Sequence, residues 1–477
     1  MKKMMIPKNL KIDNLIGRYS TNKIEGFHLD KVYFICFSIY QMMMYLDEHQ
    51  KYPGKDKCYY VPLQASILKK HLGNKYTKIV NWMKKAGIIQ TDKSWQNSVT
   101  SKGFRLTDKY LGSGKKWVTV TYEPFLKRKK RIERINNWPL EKRVVGMLQK
   151  WFDTGALKID VAAADNELKK YKQQELDAQK KANRIKVQVR YMSRMSAVYS
   201  LSEKRYNIVQ DSYGYRVHTP LTQLKKELRC FVTYNNEKLV QLDIKNSQLF
   251  FMCYLLNEDN WKIKGANREK KSNIWKSINS HREGQNNTIS NTIMFPDSAK
   301  SLTGECFQKN EFVKNACEGS LYESIVSAYY NAQDEVIGRK EVKQVLLGQI
   351  FCNPDRDKYF FFGKNSRTWE CFQTLYPDVA TIIDTIKRHN HKYMSMLLQR
   401  IESTAMLSYV CKNIQKHNKD IPLFTIHDCL VTTINHKMTV EALMINSIEE
   451  FTGLKPTLDI TYWSSEQLNN EELNKAA

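Results

Sequence analysis

The chain has 477 residues, of which 76 are Lys or Arg and 49 are Asp or Glu, a formal charge of +27. A hydrophobic content of 42 % excludes a disordered polyelectrolyte, and the length predicts two or three domains, each with a core. So large a cationic excess points to a polyanionic partner, most simply nucleic acid. A membrane surface is the rival partner, but no lipidation motif supports it. The ten cysteines are scattered with no Cys-x-x-Cys pair, which predicts a reducing, cytoplasmic setting and no zinc site.

Met1–Lys8 is basic but no apolar core follows, so it does not read as a targeting signal. Val32–Leu46 is the longest apolar stretch; Ser38 and Gln41 interrupt it, and it reads as a buried helix too short to span a membrane. Val61–Gly73 reads as a helix with Leu63, Ile67, Leu68 and Leu72 inward. Tyr76–Ala86 reads as a second, with Ile79, Val80 and Met83 on one face. Gly87 ends it, and Ser101–Lys109 and Lys116–Tyr122 are strand candidates. Two helices followed by a hairpin resemble the winged-helix architecture, whose second helix enters the major groove. Lys75, Lys78, Lys84 and Lys85 suit that role; a winged fold used for packing or protein contacts is the alternative.

Lys127, Arg128, Lys129, Lys130 and Arg131 are consecutive, with Arg134, Lys142 and Arg143 beyond. They predict a basic linker that either contacts phosphates or is merely solvated. Asn166–Met195 is charged and free of Gly and Pro, which predicts a solvent-exposed helix. Asp165-x-Glu167 opens this polar helix rather than lying on a strand, so it is not read as a nuclease motif.

Lys238–Leu256 begins as a strand, with Leu239, Val240, Leu242 and Ile244 apolar, and ends as an unbroken apolar run. Asp243 stands at the strand's end, where a carboxylate can face a cleft, and Asn246 or Ser247 can cap the following helix. Lys262–Lys300 is rich in Asn, Ser and Lys and reads as a mobile insertion. In Gly338–Cys352, the residues Arg339, Lys343, Leu347 and Phe351 recur every four positions and share one helix face. Thr368–Asn390 and Tyr393–Gln415 read as two further helices. Leu423–Ile434 places His427 and Asp428 between two β-rich apolar runs, as at the tip of a tight hairpin. Val440, Leu443, Met444, Ile448 and Phe451 form a helical stripe, Gly453 caps it, and Leu454–Tyr462 returns as a strand. Taken singly, each of these sites also fits an ordinary turn, cap or amphipathic surface helix.

Their order, an Asp strand, an Arg-x-x-x-Lys helix and a His-Asp hairpin, resembles motifs A, B and C of the family A DNA polymerases and of the related phage-type single-subunit RNA polymerases. The resemblance covers Tyr213 to the C-terminus. It implies that Asp243 and Asp428 hold two Mg²⁺ ions for phosphoryl transfer. It also implies that Arg339 and Lys343 neutralise a triphosphate, that Phe351 and Leu347 lie near the nascent base pair, and that His427 sits beside the primer phosphate. Tyr213–Arg229 resembles the segment whose arginine reaches the primer–template minor groove, a role that falls to Arg216. Tyr322, in Glu318–Tyr329, matches a helix that lends a side chain to the incoming nucleotide. Glu402-Ser403-Thr404-Ala405 faintly resembles the family's Gln-Gly-Thr-Ala stretch.

The chain departs from the family at the sugar. Family A DNA polymerases carry a glutamate gate five residues after the motif A aspartate, where this chain has Gln248. Gln248 keeps the bulk of that gate and brings an amide able to donate to a ribose hydroxyl. Gly348 matches the DNA enzymes, but Leu347, Phe351, Cys352 and Cys429 match neither set well. The fold expected is α+β: a winged-helix-like domain over 1–125, a basic linker and thumb-like helices over 126–200, and a palm-and-fingers core over 201–477 with an insertion at 263–300. The function expected is a DNA-directed DNA polymerase without proofreading, a monomer acting on primer–template DNA and nucleoside triphosphates and replicating a phage, plasmid or mobile element. An RNA polymerase or primase is the alternative within the class, and a non-catalytic winged-helix initiator or regulator the alternative outside it.

Overall fold

The computed structural model of the chain describes residues 2–22, 24–48, 60–92, 103–111, 115–127, 142–177, 184–204, 208–211, 213–257, 260, 305–333, 335–352 and 363–464. Arg128, Lys129, Lys130 and Arg131 and the whole 263–300 insertion lie outside these residues. Two compact units result, one of Met1–Asn137 with Val161–Tyr199, the other of Trp138–Asp160 with Ser200–Ala477. The block read as one linker over 126–200 is thus shared between the two units. Among the described residues no helix is long and apolar enough to cross a membrane.

In the first unit the chain forms β1 (Lys2–Pro7), α1 (Ile12–Arg18), α2 (Leu29–Glu48), β2 (Val61–Pro62), α3 (Ala65–Leu72), α4 (Tyr76–Lys85), β3 (Ile89–Thr91), β4 (Gly103–Leu106), α5 (Asp108–Leu111) and β5 (Lys115–Val120). The apolar stretch expected as a buried helix is α2, and Val32, Ile35, Cys36, Ile39 and Met43 on it are fully buried. A three-stranded sheet in the order β2-β4-β3 packs beside α2 and α4, and α3 packs on α4. Three local expectations need correction. Val61 starts a strand, not a helix: Val61 and Pro62 pair with Phe104 and Gly103 of β4, and the helix begins only at Ala65. Ile67 points outward, 46 % exposed, while Leu68 and Leu72 carry the packing of α3. The segment 115–120 pairs not with the hairpin but with β1, from Lys2↔Val120 to Pro7↔Lys115. That pairing is fastened to α2 by Asp30, whose buried carboxylate accepts from the backbone N–H groups of Thr121 and Tyr122 at 2.8 and 2.7 Å.

Next come α6 (Lys142–Asp153) and β6 (Leu157–Ile159) of the second unit, then α7 (Val161–Asp177) and α8 (Arg184–Ser202). The expected single exposed helix over 166–195 is therefore two helices. They are not purely solvated: Ala164 and Leu168 of α7 and Val187, Met195 and Val198 of α8 are buried. Arg194 binds Glu175 at 2.7 Å between them.

The second unit adds β7 (Val209–Gln210), β8 (Val217–His218), α9 (Pro220–Gln223), β9 (Val232–Tyr234), β10 (Glu237–Ile244), α10 (Ser247–Leu256), α11 (Glu305–Lys309), α12 (Glu311–Glu318), α13 (Leu321–Gln333), α14 (Arg339–Phe351), α15 (Lys364–Leu375), α16 (Pro377–His389), α17 (His391–Ser403), α18 (Lys412–His417), β11 (Phe424–Ile426), β12 (Cys429–Thr433), α19 (Lys437–Thr452) and β13 (Leu458–Tyr462). Its main sheet runs β11-β12-β10-β9-β6, with β13 also paired to β10. β10 is therefore central and buried on both faces from Leu239 to Leu242. α10 is apolar all round, and Leu249 to Leu256 are all buried, as such a helix must be. The helix expected over Thr368–Asn390 breaks at Tyr376–Pro377, since a proline tolerates only the first turn of a helix and sits there in α16. Between α17 and α18 the helix continues as a π-helical segment, Thr404–Cys411, of the kind often found at functional sites.

Candidate active site

The period-2 alternation of β10 carries Asp243 to its C-terminal end, directly opposite Cys429 of β12 and, on the other edge, Asp459 of β13. The β11–β12 hairpin closes through a two-residue turn, His427–Asp428, in which His427 adopts a left-handed conformation at φ +56°. That turn sets the Asp428 carboxylate beside Asp243. One oxygen from each aspartate and the Cys429 sulfur all lie within 4.8 Å of one another.

Burial, then the charge of Asp428, pushes the Asp243 carboxyl up to about 7; a hydrogen bond from the Cys429 thiol opposes this, Asp459 adds to it and Lys343 opposes it. The Asp243 Oδ1 atom is buried with no hydrogen-bond partner. Two carboxylates with oxygens within 4.8 Å, one of them carrying a buried, unpartnered oxygen, fit a hard divalent cation such as Mg²⁺. The Cys429 thiol does not add to that donor set, because burial and the two neighbouring carboxylates raise its pKa well above the ordinary thiol value. Its sulfur instead accepts from the Gln241 amide at 3.2 Å, and the Gln241 carbonyl accepts from Arg229 at 2.8 Å. The chain Arg229–Gln241–Cys429 thus braces the sheet beneath the carboxylates.

His427 is held neutral. Burial, followed by the positive charges of Arg216 and His218, lowers its pKa to about 4. Its Nδ1 is buried without a partner, and its ring meets that of His218 edge-on at 5.8 Å. His218 in turn bonds Asp211 at 3.0 Å, whose carboxylate also accepts from the backbone N–H groups of Tyr213, Gly214 and Arg216.

On α14 the sequence stripe is realised. Arg339 and Lys343 are exposed and Leu347 and Phe351 half-buried, while Val342, Val345, Leu346, Gln349 and Ile350 pack inward. Lys343 is near enough to Asp243 for its charge to be felt there. Tyr322 departs from its expected role. Only 2 % of it is exposed, and the Arg339 guanidinium and Lys343 ammonium lie over its ring at 5.1 and 6.0 Å. It supports the two cations and offers no open face to a nucleotide. Arg339 is also ion-paired to Glu323.

Two further residues are bound differently from the sequence expectation. Arg216 makes a bidentate pair with Glu402 of α17, Nε to Oε1 at 2.8 Å and Nη2 to Oε2 at 2.7 Å. Gln248, in the first turn of α10, donates its amide hydrogen to the same Glu402 carboxylate. One N–H of the Gln248 amide, read as able to donate to a ribose hydroxyl, is therefore engaged by Glu402, and Oε1 is left buried without a partner. Asn246, expected as a side-chain cap for α10, stands at the cap position in a left-handed conformation at φ +52° and makes no cap bond.

Glu402 is the residue that sequence reasoning leaves without a role. It is fully buried, and desolvation raises its pKa to about 7 against the opposing effect of Arg216, with Asp428 and Asp243 adding to the rise. The segment carrying Arg216 is fastened to the same helix by Arg400 to the Tyr213 carbonyl and Ser403 to the Gly214 carbonyl, each at 2.8 Å.

In the first unit Lys78, Lys84 and Lys85 are exposed on α4, opposite its buried Ile79, Val80, Trp82 and Met83. Lys75 pairs with Glu25, and Lys127 with Glu123 at 2.8 Å, both on the surface.

No protein-family model matches the chain, and neither does any curated protein. Among solved structures, the POL domain of Pol1 from M. smegmatis in complex with DNA primer-template and dNTP is similar at 10 % identity and a TM-score of 0.40, with 71 % of this chain and 73 % of that chain covered. A likeness of that degree carries no weight for function.

Proposed function

We propose that the second unit is the catalytic core of a template-directed nucleotidyltransferase, a DNA-directed DNA polymerase with a palm built on β10, β11 and β12 and fingers that include α14. The observation that carries this reading is the convergence of Asp243, at the end of β10, and Asp428, in the β11–β12 turn, within 4.8 Å, with one Asp243 oxygen buried and unpartnered. Two carboxylates 185 positions apart in sequence are brought into a repulsive contact that a divalent cation relieves. When bound there, Mg²⁺ would supply the charge that activates a primer hydroxyl and steadies a leaving pyrophosphate.

The chain's own residues divide the remaining work. Asp243 and Asp428 bind and orient that cation. Arg339 and Lys343, side by side over the Tyr322 ring, neutralise the triphosphate as charge moves toward the leaving group. The half-buried Leu347 and Phe351, on the same face of α14, give the base an apolar wall. Arg216 spends two of its five N–H donors on Glu402 and keeps the others for the primer strand. His427 stays an uncharged imidazole at neutral pH, so it contacts the primer without adding charge.

For the first unit we propose a winged-helix DNA-binding fold. The order α2-β2-α3-α4-β3-β4 with the sheet β2-β4-β3, and the exposed lysines of α4, support this reading. Extension of a labelled primer with dNTPs or NTPs tests the proposal. Wild type extends, whereas Asp243→Asn and Asp428→Asn each lose at least about 1000-fold in rate, the scale of removing a central electrostatic contact. A variant that extends near the parent rate removes the assignment. Binding to DNA without extension by wild type would favour the non-catalytic initiator.

A further inference from the structure

Glu402 is a fully buried carboxylate whose two oxygens are occupied by Arg216 and by the Gln248 amide. Held by both arms of the Arg216 guanidinium, the ionised Glu402 carboxylate accepts at both oxygens. The Gln248 side chain therefore has one consistent orientation, NH₂ toward Glu402 and carbonyl oxygen away from it. That carbonyl oxygen, Gln248 Oε1, is buried and has no donor. It sits five residues beyond Asp243, in the first turn of the helix that Asp243's strand feeds. Glu402, bonded to Gln248, lies close enough to Asp243 and Asp428 for both charges to act on it. A desolvated acceptor thus lies in the first turn of the helix that follows the Asp243 strand.

We infer that Glu402 is a positioning residue for sugar choice: it holds the Gln248 amide N–H, so that the Gln248 carbonyl oxygen accepts from the 2′-hydroxyl of an incoming ribonucleotide. The inference rests on the polymerase reading and extends it. A buried acceptor left without a donor is costly, while the same acceptor paired with a hydroxyl is satisfied. A site built to bond a hydroxyl also discriminates against the analogue that lacks it. Gln248 therefore acts in two opposed ways. Its bulk crowds the ribose, and its oxygen rewards the ribose that does enter. The consequence is an enzyme that incorporates ribonucleotides to a measurable extent beside deoxyribonucleotides.

The test is the ratio of kcat/KM for NTP to that for the matching dNTP, measured on a preformed primer–template. The proteins are wild type, Gln248→Leu, Glu402→Gln and the double variant. Gln248→Leu keeps the volume and removes the acceptor, so the ratio falls about tenfold, the scale of one hydrogen bond. Glu402→Gln moves the ratio in the same direction, because an amide partner no longer dictates which end of Gln248 faces the sugar. The double variant goes no further than Gln248→Leu alone, since Glu402 acts through Gln248. An unchanged ratio in Gln248→Leu overturns the inference, as does a double variant whose effect is the product of the two singles. Should Glu402→Gln unfold, as a thermal melt would reveal, Gln248→Leu decides alone. If wild type adds neither nucleotide, the polymerase reading itself fails, an outcome distinct from an active enzyme with an unmoved ratio.

Discussion

Replacing Asp243 with Asn should stabilise the metal-free protein while abolishing its response to Mg²⁺. The aspartate oxygens lie within 4.8 Å. At an effective dielectric of about 20, two unit charges at that separation repel by about 3 kcal/mol. Both carboxylates are partly exposed, and solvent screening leaves about 1 kcal/mol of that. For a unit of this size the corresponding rise in Tm is about 2 °C. The sign depends on pH. Asp243 has a folded pKa raised to about 7 from an ordinary 3.8, so the native state holds its proton more tightly than the unfolded chain. Parental stability from this group is complete below the unfolded pKa and is lost as the pH rises through about 7. The Asn variant, which cannot ionise, should gain most over the parent at pH 8 and little at pH 4.5. Thermal unfolding in EDTA at the two pH values, repeated with Mg²⁺, measures this. Mg²⁺ should raise the Tm of the parent at pH 8 and leave that of the variant nearly unmoved. A variant less stable than the parent in EDTA at pH 8, or one stabilised by Mg²⁺ as much as the parent, would refute the argument.

Arg216→Ala should cost about 3–5 kcal/mol of unfolding free energy by leaving the Glu402 carboxylate buried and unpaired, with part of that recovered in Arg216→Ala/Glu402→Gln. Chemical denaturation of the two variants checks it, and a cost under about 1 kcal/mol for the single change would show that the pair is not a buried one. Duplex binding should weaken with salt at a log–log slope of about −0.9 per phosphate contact. Lys78→Ala/Lys84→Ala/Lys85→Ala in the full chain should flatten that slope by up to about 3, and an unchanged slope would remove α4 from the DNA interface. Removing the ring of Tyr322 with Tyr322→Leu should lower kcat more than it raises KM for the nucleotide, because the ring supports Arg339 and Lys343, whose charge acts as the leaving group departs; steady-state kinetics separates the two.

The parts of this molecule legible in its sequence are those with local periodicity. Alternation placed Asp243 at the end of a strand, and two β-rich runs around His427–Asp428 described a hairpin that the structure closes with a two-residue turn. A four-residue repeat put Arg339, Lys343, Leu347 and Phe351 on one helix face, and they occupy one. What periodicity cannot encode is a partner far away in the chain. Arg216 reads as a cation for the primer–template minor groove with no intramolecular partner in view, because its carboxylate is 186 residues downstream. Glu402 stands in a stretch that resembles a family motif, but nothing local shows that the fold buries it against Arg216. The pairing of β1 with β5 spans more than a hundred positions, so a hydrophobic strand near 115–120 was open to a nearer neighbour. Face alone was visible for Tyr322, not depth, and the two cations over its ring close it to substrate. The break between α15 and α16 did have a local sign in Pro377, which cannot lie within a helix.

The central claim is that Asp243 and Asp428 together make a template-reading polymerase site. Single-nucleotide addition tests it most directly: one primer, four templates differing only in the next base, and each dNTP or NTP offered alone with Mg²⁺. The account predicts that wild type adds the complementary nucleotide on each template and that neither Asp243→Asn nor Asp428→Asn adds any. Addition that ignores the template base, or complementary addition that survives the loss of either aspartate, would contradict it.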